Sequence, residues 1–105
     1  MSLTKNFKLT IRERAQRDQD FRLAMLIEAV NALLCDDIDL AKSLLRDYIN
    51  ATISFEPLAK RIAKNSKSLQ RMFSPAGNPT AHSLFLVIHE LQNFEGIRLT
   101  VHASH

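Results

Sequence analysis

The sequence predicts an all-α fold: a small helical bundle with a helix-turn-helix, an N-terminal helical extension and a short C-terminal strand. Three observations predict it. The chain has 105 residues and an apolar fraction of 46%, which suits one globular domain with a modest core. It holds only two glycines and three prolines, too few for the many turns of an all-β fold. Apolar residues also recur at three- and four-residue steps over most of its length.

The first element admits two readings. Phe7, Leu9 and Ile11 alternate with Lys8 and Thr10, as in an extended segment, while Thr10 and Glu13 form a T-x-x-E capping box that would start a helix there. From Phe21 onward the pattern is helical, through Ala24, Met25, Ile27, Ala29, Val30, Leu33 and Leu34. The preceding turns are polar (Arg12, Arg14, Arg17, Asp18, Arg22), so Asp18 or Asp20 is expected to cap a helix beginning near Phe21. Cys35-Asp36-Asp37-Ile38-Asp39 breaks the pattern, and its carboxylates suit the positive N-terminal end of the next helix. Leu40, Ala41, Leu44, Leu45, Tyr48 and Ile49 then make one apolar stripe, which ends at the turn residues Thr52 and Ser54.

The next helix is expected around Glu56-Pro57, with Pro57 in the first helical position and Glu56 at the boundary. Leu58, Ala59 and Ile62 face inward; Lys60, Arg61 and Lys64 face outward. Asn65 or Ser66 caps a further short helix. At about 100° per residue, Ser66, Lys67, Gln70 and Arg71 share one arc, and Leu69, Met72 and Phe73 occupy the opposite one. Two short helices so arranged form a helix-turn-helix, whose second helix can enter the major groove of DNA. Ser74-Pro75-Ala76-Gly77-Asn78-Pro79 is a loop, and Thr80 caps a last helix carrying Leu84, Phe85, Val87, Ile88, Leu91 and Phe94 until Gly96 stops it. Ile97, Leu99 and Val101 alternate with Arg98 and Thr100, a strand pattern that would pair with the Phe7 to Ile11 segment or with its copy in a second subunit. Residues 1–35 thus read as an N-terminal unit for packing and dimerisation, and residues 36–105 as the helix-turn-helix bundle with its C-terminal strand, together one structural domain.

Charge marks the same region. Residues 54–79 carry Lys60, Arg61, Lys64, Lys67 and Arg71 against Glu56 alone, whereas residues 36–53 carry Asp36, Asp37, Asp39 and Asp47 against Lys42 and Arg46. The net +3 of the chain is therefore concentrated where phosphate would be met. Catalytic chemistry has no such signal. No nucleophile motif or Gly-rich phosphate loop is present, so no enzyme activity and no cofactor are expected. His82 and His89 are seven residues apart, about 10 Å along a helix and too far to share a metal ion. The Asp36-Asp37-Asp39 cluster lacks the glycine and terminal glutamate of a calcium loop, so no metal site is expected. Cys35 is the only cysteine, which excludes an intrachain disulfide and is expected to be a small buried residue. The chain has no secretory apolar stretch near its start and no run long enough to span a membrane, so a cytoplasmic protein with no membrane partner is expected.

On this reading Ser66, Lys67, Gln70 and Arg71 are the base-reading candidates. Gln pairs bidentately with adenine, and Lys or Arg with guanine. Lys60, Arg61 and Lys64 are the phosphate-contact candidates, joined by Asn78 and Thr80 beyond the second helix, where turn and cap are an equal alternative. A module this small binds weakly alone, so a homodimer reading two half-sites of double-stranded DNA is expected.

The runs Leu44-Leu45-Arg46-Asp47-Tyr48-Ile49-Asn50-Ala51-Thr52, Leu58-Ala59-Lys60-Arg61, Ser66-Lys67-Ser68-Leu69-Gln70-Arg71-Met72 and Gly77-Asn78-Pro79-Thr80 resemble a family of small bacterial and prophage regulators. These are Cro/CI-type helix-turn-helix proteins of the addiction-module antidote kind. The resemblance covers about Phe7 to Val101, and the Gly-Asn-Pro-Thr element makes it more specific than a generic helix-turn-helix. It implies a lambda-repressor-like bundle, DNA binding as a homodimer, repression of its own operon and, in toxin–antitoxin pairs, binding of a small RNA-cleaving toxin protein. Three positions depart from the wider pattern: Pro57 stands where a phosphate-binding Gln is common, Ala63 where the turn often has Gly, and Lys64 where an apolar residue is common.

Overall fold

Polar side chains at the breaks in the apolar pattern set the helix boundaries. The structure is a computed structural model that describes residues 5–105; the first four residues of the expected N-terminal unit lie outside them. Six helices follow in order: α1 (Lys5–Arg17), α2 (Gln19–Leu34), α3 (Ile38–Ala51), α4 (Phe55–Arg61), α5 (Ser66–Met72) and α6 (Ala81–Glu95). The Asp18 carboxylate accepts the Phe21 N–H at 3.2 Å and starts α2. Asp37 does the same for Leu40 at 3.2 Å, Asn65 for Ser68 at 3.0 Å and Thr80 for Ser83 at 3.1 Å. Each such cap is worth about 1 kcal/mol. Gly96, at φ +72, takes the left-handed conformation that ends α6.

Four expectations change. α1 runs straight through Phe7 to Ile11, so neither the extended segment nor the Thr10 capping box forms. Of the alternating residues only Ile11 packs on the core, while Phe7 and Leu9 are exposed; with no strand beside it, this backbone satisfies its own N–H and carbonyl groups by coiling. α4 begins at Phe55, which makes Pro57 its third residue rather than its first. The third N–H of a helix also lacks an intrahelical partner, so proline is tolerated there. Cys35 is exposed rather than buried, because it caps the solvent-facing end of α2. Finally, no strand forms among the described residues. The segment from Ile97 to Val101 lies along α2 and α6 instead, with Leu99 packed on the core and its N–H donating to Gln92 Oε1 at 2.7 Å.

The core gathers from every helix. Leu26 of α2, Leu45, Tyr48 and Ile49 of α3, Leu58 of α4, Leu69 of α5, and Val87 and Leu91 of α6 are all fully buried, with Ala15 of α1 packed among them. Phe73, the cap of α5, stacks at a tilt on Phe55 with ring centroids 6.2 Å apart, which ties the start of α4 to the end of α5. The apolar pattern of α2 exceeds what the core covers, so Ile27 and Leu34 remain outside, as do Phe85 and Phe94 of α6.

One polar cluster crosses this core. The Glu95 carboxylate accepts from Arg22 Nε at 2.7 Å, from Arg22 Nη2 at 3.2 Å and from the Tyr48 hydroxyl at 2.6 Å. Arg22 Nη1 donates onward to the Ala15 carbonyl at 3.0 Å, so α1, α2, α3 and α6 meet at one site. The Glu95 side chain is only 2% exposed. Burial alone would raise its pKa, but the hydrogen bonds from Arg22 and Tyr48 and the Arg22 charge outweigh it and hold the carboxyl below the ordinary range. Burial, then the bond to Glu95, pushes the Tyr48 hydroxyl up, so it stays protonated and donating. No buried side-chain N or O among the described residues lacks a partner.

A depressed carboxyl pKa stabilises the fold above the unfolded-state value, and that stability is lost as pH falls through the folded-state value. Acid unfolding followed by circular dichroism is therefore expected to carry a Glu95 contribution below about pH 4.5. Glu95→Gln should cost on the order of 2 kcal/mol at neutral pH and flatten that acid limb. An acid limb identical in the two proteins would refute the assignment.

Candidate nucleic-acid interface

The turn between α4 and α5 is built by backbone hydrogen bonds around one unusual residue. The Lys64 N–H bonds the Ala59 carbonyl at 2.9 Å and the Ala63 N–H bonds the Lys60 carbonyl at 3.3 Å, the paired bonds of a Schellman stop. Ala63 carries φ +54 at the position such stops normally give to glycine. With Asn65 then capping α5, the chain reverses within residues 62–65. Leu58, Ala59, Leu69 and Phe73 are buried by this geometry, and Ile62 and Met72 pack on the core.

The opposite side is polar. Lys67, Gln70 and Arg71 are exposed and Ser66 is half-buried, all on one arc of α5. Gln70 Nε2 donates to Ser66 Oγ at 3.2 Å, so these two side chains are already oriented toward each other. Among the described residues, Lys60, Lys64, Lys67 and Arg71 make no ion pair, whereas Arg61 reaches Glu90 on α6 at 3.2 Å. Thr80 spends its hydroxyl oxygen on the α6 cap and on Ser83 Oγ at 3.0 Å, which favours the turn-and-cap role. Asn78 is exposed beside Ser68 and Arg71, around a shallow depression floored by Met72 and Gly77. Ser68 was not among the sequence candidates; it falls beside the arc and joins the surface only because the loop folds back toward it.

Two cations of α3 produce that fold-back. Lys42 is 3% exposed, and its ammonium donates to the carbonyls of Ser74 at 3.1 Å, Pro75 at 3.2 Å and Gly77 at 2.6 Å. Arg46 Nη1 donates to the Phe73 carbonyl at 2.6 Å. Both positive charges face the negative end of α5 and the carbonyls that follow it. Gly77 completes the seat. A Cβ there would lie 2.1 Å from the Arg71 carbonyl oxygen and 2.4 Å from that of Met72, both backbone atoms.

Among the described residues no group of three His, Cys, Asp or Glu side chains comes together to hold a metal ion, and no helix is long and apolar enough to cross a membrane. Comparison with protein-family models, curated proteins and solved structures finds no match to this chain.

Two substitutions test the local geometry by urea denaturation. Ala63→Gly relieves the left-handed strain and should stabilise the protein by about 1 kcal/mol. Gly77→Ala should destabilise it by about 1–3 kcal/mol, because the obstructing atoms are helix carbonyls that cannot step aside. Opposite signs would contradict this account of the turn and the seat.

Proposed function

We propose that the protein is a sequence-specific DNA-binding regulator, a homodimer that reads the major groove with α5. On this reading α4, the turn and α5 form a helix-turn-helix inside a lambda-repressor-like bundle. One observation carries the proposal: the inward arc of α5 packs on the core while its outward arc presents Ser66, Lys67, Gln70 and Arg71, flanked by Lys60 and Lys64, which make no ion pair among the described residues. Base edges need hydrogen-bonding side chains held at fixed spacing, and the backbone beside them needs positive charge. Lys60 and Lys64 serve as phosphate contacts, with Asn78 at the rim. Thr80 acts chiefly through the cap.

Selection of bound duplexes from random sequence tests the proposal. It should return one motif, repeated as two half-sites about 34 Å apart. A pool that stays random after several rounds at moderate salt would end it.

A protein-interaction module of the antitoxin kind is the second reading, and a different observation favours it. Ile27 and Leu34 of α2 and Val101 of the C-terminal segment are exposed around a groove that no described residue fills. Such a surface suits a second copy or a small toxin. Co-purification with the product of a neighbouring gene would support the toxin, and a homodimer that captures no such product would count against it.

Gln70→Ala should relax specificity at one base pair, costing about 1–3 kcal/mol there. Lys60→Ala should weaken binding to every duplex alike and lower the salt slope by about 0.9. Fluorescence anisotropy on matched and mismatched duplexes separates the two effects.

A further inference from the structure

The three cations expected to contact phosphate, Lys60, Arg61 and Lys64, are not equivalent, because Arg61 is already engaged. Its guanidinium Nε lies 3.2 Å from Glu90 Oε1. The carboxylate is the more anchored partner: the Glu90 side chain is 18% exposed and rooted in α6, whereas Arg61 is 47% exposed and reaches to it from the last turn of α4. Lys60, Lys64, Lys67 and Arg71 have no such carboxylate, and among the described residues Glu90 is the acid paired with this face.

We propose that Glu90 sets the strength of non-specific DNA binding by holding Arg61 as a neutral pair beside the duplex-reading face. The proposal rests on the DNA-binding reading. Its chemistry is counterion release. A free cation that meets a phosphate displaces a condensed counterion from DNA, and each such contact adds about 0.9 to the salt slope. A guanidinium already matched by a carboxylate brings no net charge to the backbone and adds nothing. The carboxylate also repels phosphate that approaches Arg61. Non-specific affinity follows the number of neutralised phosphates, while base-edge contacts supply discrimination. Masking one cation therefore lowers binding to every duplex, random duplex included, and leaves the α5 base contacts intact. Glu90 is a positioning residue here: it acts through Arg61 and touches no base.

Anisotropy titrations of a random duplex across a salt series, with wild type, Glu90→Gln, Arg61→Ala and the double variant, test this. Wild type and the double variant, both without net charge at the pair, should share one slope. Glu90→Gln should steepen it by about 0.9 and bind random duplex several-fold more tightly at low salt, and Arg61→Ala in that background should remove the gain. A shallower slope for the double variant than for wild type would overturn the proposal, since Arg61 would then already contact phosphate. So would a folded Glu90→Gln protein with the wild-type slope. If Glu90→Gln does not fold, Glu90→Ala, which removes the charge without adding bulk, replaces it in both comparisons. Wild-type protein that binds no duplex at any salt would instead refute the DNA-binding reading beneath it.

Discussion

The architecture depends on one buried carboxylate. Glu95 stands at the last residue of α6 and receives three hydrogen bonds, two from Arg22 and one from Tyr48. Removing any partner would leave a charge or a hydroxyl in the core without a match, which costs more than the net gain of making the bonds. The site therefore specifies an arrangement as much as it stabilises one: α2, α3 and α6 meet there at one relative position, and Arg22 adds the end of α1 through the Ala15 carbonyl. The apolar core is fitted around that joint.

From the joint, α3 carries order to the loop that follows α5. Tyr48 points to Glu95, while Arg46 and Lys42, two and six residues earlier on the same helix, grasp the cap and loop that follow α5. A buried ammonium is expensive unless its donors are used, and three carbonyls and a nearby Asp39 at 3.7 Å use them. The result is a short helix fixed at both ends, by Asn65 at its start and by the α3 cations at its finish. Seven residues would hold little helix in isolation. On the proposed DNA-binding reading this support matters, because a side chain that wanders loses the geometry on which discrimination rests.

Much of this was legible in the sequence, and the parts that were not share a cause. Thr80 and Gly96 marked helix ends outright, and Asp18 or Asp20, Asn65 or Ser66 and the carboxylates of residues 36–39 marked three more, because capping depends on a residue and its near neighbours; Asp18, Asn65 and Asp37 are the ones that cap. The two arcs of α5 followed from periodicity alone. By contrast, the partners of Lys42, Arg46, Arg61 and Glu95 lie 27 to 73 residues away or on another helix, and local pattern says nothing about them. Lys42 counted only as one charge of an acidic stretch, and Arg61 was expected to contact phosphate. The alternation at Phe7, Leu9 and Ile11 misled for a related reason: alternation marks a strand only where another strand exists to pair with it, and among the described residues none does.

The central claim is that duplex DNA is met by the outward face of α4 and α5 rather than by the apolar groove on α2. Backbone amide chemical shifts of labelled protein titrated with its selected duplex address this directly. The account predicts shifts concentrated between Lys60 and Arg71 and at Asn78, with the amides of Ile27, Leu34 and Val101 little changed by the duplex. Shifts confined to α2 and the C-terminal segment, or none at saturating duplex, would contradict it.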